Sequence, residues 1–392
     1  MLKNIALTLL SLCLLLSLTA CQDYQVFTRS DQQVIIQLVG IDYSPDNQTY
    51  TVSVQYCLGG DSDDNQDGNM KTAYADGRNI SHAIRQIHAD TGKELFFHHT
   101  QVILLGQEVL ATDTLAAIEG YLNHCSCHST ALVTGVHGRA KDILSLTFKN
   151  EFFPQNRILI IVKSANDVGA FPIYDIGQVL ANSYSTSRSF FLPMLKVQDF
   201  GGQNGDGEEN EKNEEAAEVD SEDATADPTV SPHGGAVMID GKAATFADET
   251  QCRGLALFTS TAASSIKSIE FEHDGEVHTI EKFKSKLKIE PAYDAQAQRL
   301  IVRINFSAVA DKHSAYHQAL RELIEPAERA IEASLLDAAL LMSEHGGDLI
   351  KLEDTLKHRD YKTWETLTQS DEQWRETLRN AEYVINADLK IV

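Results

Sequence analysis

Positive charge is scarce in this sequence. Its 392 residues hold 33 Lys and Arg against 57 Asp and Glu, a net charge of −24. Phosphate backbones are gripped by basic surfaces, so nucleic acid is excluded as a ligand, and so is broad adhesion to anionic lipid heads. Cysteine is scarce as well, with six in all. Cys57, Cys125, Cys127 and Cys252 lie in the body of the chain, too few for a disulfide scaffold of this length. Cys125 and Cys127 are one residue apart, which strains a bridge between them, and pairing is not readable from spacing. No G-x-S-x-G elbow, H-E-x-x-H pair, P-loop or G-x-G-x-x-G turn occurs, so hydrolase, zincin and nucleotide readings have no motif to rest on. Carboxylates are plentiful, but none stands out as one of a catalytic pair. No apolar run reaches the roughly 20 residues of a membrane span.

What is present begins at the N-terminus. Lys3 precedes a short apolar stretch, Ile5 to Leu16, and Leu18-Thr19-Ala20-Cys21 follows as a small-residue processing site. This is the pattern of a secretory signal over residues 1–20. The last four residues resemble a bacterial lipobox. The resemblance implies that Cys21 carries fatty-acyl (palmitate-type) chains, becomes the first mature residue and holds a water-exposed body on the extracytoplasmic face of a bilayer.

The body is long enough for two or three domains. Val34 to Ile41 reads as a buried strand. Tyr50, Val52, Val54 and Tyr56 alternate with polar residues as a strand with one wet face, and Ser44-Pro45-Asp46-Asn47 supplies the turn between them. Gly59 to Asn69 is a polar, mobile stretch. Ile80, Ala83, Ile84 and Ile87 keep helical spacing, with Asn79 or Ser81 as cap and Gly92 as stop. A strand over Gln101 to Gly106, a helix from about Glu108 to Asn123, a strand over Ala131 to Val136 and a short helix from Ala140 follow. Asp206 to Asp227 then carries eleven acids and one Lys212, with no aromatic residue. That composition predicts a disordered acidic linker over 201–229 between an N-terminal region, 21–200, of two subdomains and a C-terminal domain, 230–392. The spacing there predicts a strand over Gly235 to Ile239, strands around Leu287 and Leu300 to Phe306, and a long helix over Ala315 to Glu344. Pro326 either kinks that helix or marks the first turn of a second one. A final strand runs from Tyr383. The expected class is α+β: a multi-domain mixed α and β lipoprotein with antiparallel-rich sheets flanked by helices, and a C-terminal domain with a long helix against a sheet.

The residues best suited to chemistry are His124-Cys125-Ser126-Cys127-His128, whose thiolates and imidazoles suit Zn²⁺ or Cu(I). His98 and His99 would join only if the fold brought them near. Cys-x-Cys without a distant partner pair is weak as a metal signature, and a polar helix-to-strand link explains it as well. No metal or cofactor is therefore assigned. His88 reads as a packing residue, and Trp364 and Trp374 as covers at the edge of a core rather than a sugar platform.

The stretch from Gly77-Arg78 through Lys93, Phe97, His99 and Gln101 to Gly106 resembles the spore germination receptor C-subunit lipoproteins, the GerAC-like or Ger(x)C family. Gly40-Ile41-Asp42, Gly138 to Leu144, Cys21, Glu325, Asp348, Trp364 and Trp374 extend the likeness over nearly the whole mature chain. Two features depart from it. Asp348-Leu349-Ile350-Lys351 replaces an aromatic and glycine turn, and the acidic run is unusually long. The resemblance implies a noncatalytic subunit on the outer face of the spore inner membrane, working beside membrane A and B subunits of a nutrient germinant receptor. Gly77, Arg78, His99, Gln101, Trp364 and Trp374 are then structural or interface residues. The rival readings are an extracytoplasmic small-molecule-binding lipoprotein, which requires a deep cleft, and an envelope-acting enzyme, which requires convergent acid–base groups.

Overall fold

The computed structural model describes residues 33–57, 70–125, 127–146, 154–167, 173–198, 229–258, 267–310 and 322–391. Residues 1–32, with the expected signal segment and Cys21, the Gly59 to Asn69 stretch and the acidic run Asp206 to Asp227 lie outside them.

The first strand, β1 (Gln33–Ser44), turns back into β2 (Thr49–Cys57) and then β3 (Met70–Gly77), an antiparallel meander. Helix α1 (Ile80–Thr91) follows. Asn79 caps it by accepting from His82 N at 2.8 Å, and Gly92 ends it at φ 63°. Next come β4 (Glu94–Phe96), a 3₁₀ turn over Phe97–His99, and β5 (Val102–Gly106). The single helix expected over 108–123 is two, α2 (Gln107–Thr112) and α3 (Thr114–Leu122). Asp113 breaks it: its backbone is extended, and its carboxylate caps α3 by accepting from Ala116 N at 3.0 Å. Strand β6 (Leu132–Val136), α4 (Ala140–Leu144), α5 (Pro154–Asp167), β7 (Tyr174–Asp175), α6 (Ile176–Ser183) and β8 (Ser189–Gln198) complete this stretch.

Two more strands, β9 (Thr229–Ile239) and β10 (Lys242–Ala247), join the same sheet, in the order β10-β9-β8-β6-β5-β1-β2-β3. Its centre, β1, β5, β6 and β8, is parallel, and antiparallel hairpins flank it. Helices cover both faces of that centre, which is why Val102 to Leu105 is an unbroken apolar run with no exposed surface. One core holds Ile36, Val39, Ile103, Tyr121 and Met238, and a smaller one behind the sheet holds Leu38, Leu104, Leu144 and Val162.

Gln198 of β8 pairs with Thr229 of β9. The acidic run therefore leaves and re-enters the sheet at neighbouring residues. The chain passes to the second lobe after β10, where Asp248 caps α7 (Glu249–Phe258) in reciprocal hydrogen bonds with Gln251.

The second lobe is a four-stranded sheet, β11 (Lys267–His273), β12 (Glu276–Asp294), β13 (Arg299–Ala310) and β14 (Glu382–Ile391), in that order. It is antiparallel up to β13, and β14 runs parallel to β13. Helix α8 (Ile324–Glu344) lies on the sheet through Ala327, Ile331, Leu335, Ala338 and Met342. Pro326 sits in its first turn, where the missing N–H costs no helical bond. Glu332 and Glu328 of α8 reach over the free edge of β14 and accept from Ala387 N at 2.9 Å and Leu389 N at 2.8 Å. An edge strand left open invites pairing with another chain, and this one is closed by its own helix. Short helices α9 (Leu352–Arg359), α10 (Tyr361–Leu367) and α11 (Asp371–Arg379) lie between α8 and β14. No described helix is long and apolar enough to cross a membrane.

The lobes share a wall. Along β8 and β9, Phe190, Leu192, Ala236 and Met238 face the first core, while Phe191, Val237 and Ile239 belong to the core of the second lobe.

Candidate functional site

Three places combine polar side chains with an arrangement that packing alone does not require: a histidine-rich cleft in the first lobe, a buried aspartate at a helix start in each lobe, and the ionic seam where the lobes meet.

The cleft opens between α1, the 3₁₀ turn and the end of α3, with a volume of about 370 Å³. The stripe Ile80, Ala83, Ile84 and Ile87 turns inward, and Arg85 and His88 are left exposed beside the opening. His88 Nδ1 donates to Lys93 O at 2.5 Å, which ties the end of α1 to the following strand. Phe97 is buried edge-on against Tyr121, with ring centroids 5.7 Å apart, so the neighbouring His98 and His99 stay outside. His98 stacks on Phe96 at 4.5 Å with 17° between the planes, and His128 meets His98 edge-on at 6.3 Å. His124 and Cys125 form the remaining wall. Burial and the nearby Arg85 push the His124 imidazole below its usual range. Burial, with Cys127 beside it, pushes the Cys125 thiol far up, and Cys127 is raised chiefly by burial. Both stay protonated free thiols, poor as nucleophiles and as ligands. The fold thus brings His98 to His124 and His128, as the sequence left open. Among the described residues, however, no group of three or more His, Cys, Asp or Glu can hold a metal ion.

The other marked residues have local explanations. A Cβ on Gly77 would stand 2.4 Å from Ala83 N and 2.8 Å from Asn79 O, so the strand meets the helix start only if that residue is glycine. Arg78 is exposed, and its backbone N–H faces His82 Nδ1 at 3.4 Å. Gln101 works through its backbone: its N–H donates to Gln37 O at 2.8 Å, and its carbonyl accepts from Leu132 N at 2.9 Å. Trp374 is buried in the second core. Trp364 lies at that core's edge, donating to Glu353 Oε1 at 3.2 Å under the Lys357 ammonium.

The paired aspartates carry less signal in sequence. Asp42, at the end of β1, accepts from Ala140 N at 2.7 Å and Lys141 N at 2.9 Å and so caps α4. Asp348 accepts from Leu352 N at 2.7 Å and Glu353 N at 2.9 Å and caps α9. Burial raises both; Asp348, with Glu353 and Asp354 nearby, goes to about 6.

At the seam, Asp240 of the β9–β10 turn lies between Arg188 Nε, at 3.2 Å, and the Arg375 guanidinium of α11, and Arg188 also reaches Asp371. Asp240-Gly241 is legible as a turn, but its partners are 52 and 135 residues away, beyond any local pattern.

The family model "Spore germination protein N-terminal domain" matches residues 28–197, and "Spore germination B3/ GerAC like, C-terminal" matches 233–392. The chain belongs to the GerAC-like spore germination receptor C-subunit family. A GerBC protein of known crystal structure has the same fold: TM-score 0.53 at 16% identity, covering 90% of this chain and 96% of that one. No curated protein matches. In this GerAC-like chain the two family regions meet across the acidic run. By hydrogen bonding, β9 and β10, which lie mostly in the second matched region, complete the sheet of the first. The family-like Gly40-Ile41-Asp42 and Gly138 to Leu144 are two halves of one device, because Asp42 caps the helix that begins at Ala140. Gly106 stands beside them, and a Cβ there would lie 2.1 Å from Asp42 Oδ1.

Proposed function

We propose that this chain is the noncatalytic lipoprotein C subunit of a nutrient germinant receptor, held by acyl chains on Cys21 at the outer face of the spore inner membrane and assembled with membrane A and B subunits. The observation that carries the reading is the pair of GerAC-like regions following one another along the chain, behind Leu18-Thr19-Ala20-Cys21. The physical chemistry is compatible. Two or more acyl chains anchor a protein stably where one does not, and a chain of net charge −24 gains nothing from anionic lipid heads. The shared wall of β8 and β9 makes the two lobes one surface for a partner rather than two beads on a string.

The test is affinity isolation of the intact lipoprotein from spore membranes, with its companions identified. Two membrane proteins, one polytopic and one transporter-like, are expected, with loss of the nutrient response when the gene is deleted. Cys21→Ala should release the body from the membrane fraction. A normal nutrient response in the deletion strain, or substrate turnover by the purified protein, overturns the reading.

A further inference from the structure

We propose that the cleft between α1, the 3₁₀ turn and the end of α3 binds a small organic anion with a flat or branched apolar body, its carboxylate at Arg85 and its body against the Phe96–His98 stack. This stands independently of the receptor reading.

The volume, about 370 Å³, lies within the range of small-molecule sites. The lining combines an apolar part, Ile84, Leu95 and Phe96, with one guanidinium and imidazoles, the mixture by which a pocket holds a body and orients a charge. Arg85 has no ion-pair partner among the described residues, although acids outnumber bases by 57 to 33 in the chain. Its field acts on the cleft, since it helps to keep the His124 imidazole neutral. The acid on the wall, Glu94, is occupied elsewhere, accepting from Gln33 Nε2 at 3.2 Å. With a neutral His124 and the protonated thiol of Cys125, Arg85 is the permanent positive charge of the cleft, and it makes no ion pair with the Glu94 carboxylate on the same wall. The Phe96 and His98 rings, parallel to within 17°, offer a flat aromatic surface of the kind that takes up a planar group. A guanidinium meets a carboxylate through two parallel N–H donors, which selects a carboxylate over a point anion such as chloride.

The probe is phenylacetate, titrated calorimetrically into the full chain, with phenylacetamide and inorganic phosphate as controls. Saturable binding at about 1 mM is expected for so small a ligand. Phenylacetamide should bind at least about 10-fold more weakly, since it lacks the charge. Phosphate, which lacks the apolar body, should be weaker still. Arg85→Gln should lose about 10-fold or more in affinity while its melting curve stays put, because the side chain is exposed. His98→Ala should lose less. Ring-proton signals of His98 and His124 should shift with phenylacetate in the wild type and not in Arg85→Gln. Equal binding of acid and amide, equal binding by Arg85→Gln, phosphate binding as tightly as phenylacetate, or no binding at all overturns the proposal.

Discussion

Asp42 and Asp348 perform the same task in the two lobes. Each is buried, and each turns both carboxylate oxygens to consecutive backbone N–H groups at a helix start, with distances of 2.7 and 2.9 Å in both cases. Their surroundings differ. Asp42, raised by burial, has both Arg139 and Asp142 beside it, whose charges act in opposite directions. Asp348 has Glu353 and Asp354 instead, and titrates at about 6. Identical hydrogen bonds thus sit on carboxyls that burial raises in both lobes, in the second as far as about 6. The deeper burial of Asp348 leads the difference and its acidic neighbours add to it; the cap is the same in both.

That contrast can be broken by experiment. Asp42→Ala orphans two helix-start donors, Ala140 N buried and Lys141 N part-buried, and should cost about 3–5 kcal/mol in denaturant unfolding. Asp348→Ala should cost only about 1–3 kcal/mol at pH 8, because it also relieves a strained charge. Equal losses would show that neither the deeper burial of Asp348 nor its acidic neighbours matter. The pH dependence sharpens the point. The folded value for Asp348, about 6, lies above its ordinary 3.8, so the folded protein binds the extra proton between those limits. Its contribution is fully present below about pH 4 and is lost as pH rises through about 6, some 3 kcal/mol in all. Asp348→Asn should lack that slope when unfolding is compared at pH 4 and pH 8. Gly106→Ala attacks the first brace without touching it: the new Cβ would displace Asp42, at about 1–3 kcal/mol. The smallest effect belongs to the seam. Arg188 and Asp240 are about two-fifths exposed, and Arg188→Ala should cost no more than about 1 kcal/mol.

Much of this architecture can be read in the residues. The helical stripe from Ile80 to Ile87 forms the helix it announces, and the period-two run at Tyr50 to Tyr56 forms a strand, but not one with a wet face: Thr51, Ser53 and Gln55 are buried as well, Gln55 reaching Leu144 O of α4. Boundaries set by competing side chains are harder. Asp113 splits a helix whose apolar spacing runs straight through it, because its carboxylate takes backbone donors that a continuous helix would use. The parallel centre of the first sheet is invisible, since pairing among β1, β5, β6 and β8 joins residues 30 to 64 positions apart with no local signature. The cleft was legible by composition only: His98 and His124 stand out, but their nearness depends on a 3₁₀ turn that no periodicity marks. Asp348 is one of 57 acids until α9 is seen to begin above it.

The register of Gln198 with Thr229 has an evolutionary consequence. What lies between two bonded neighbours of a hairpin does not set the reach of one lobe from the other. Doubling its length adds only about 0.6 kcal/mol of closure entropy. Drift, duplication or deletion of codons there should therefore leave the mutual orientation of the lobes untouched, and the same point should tolerate a spliced reporter domain.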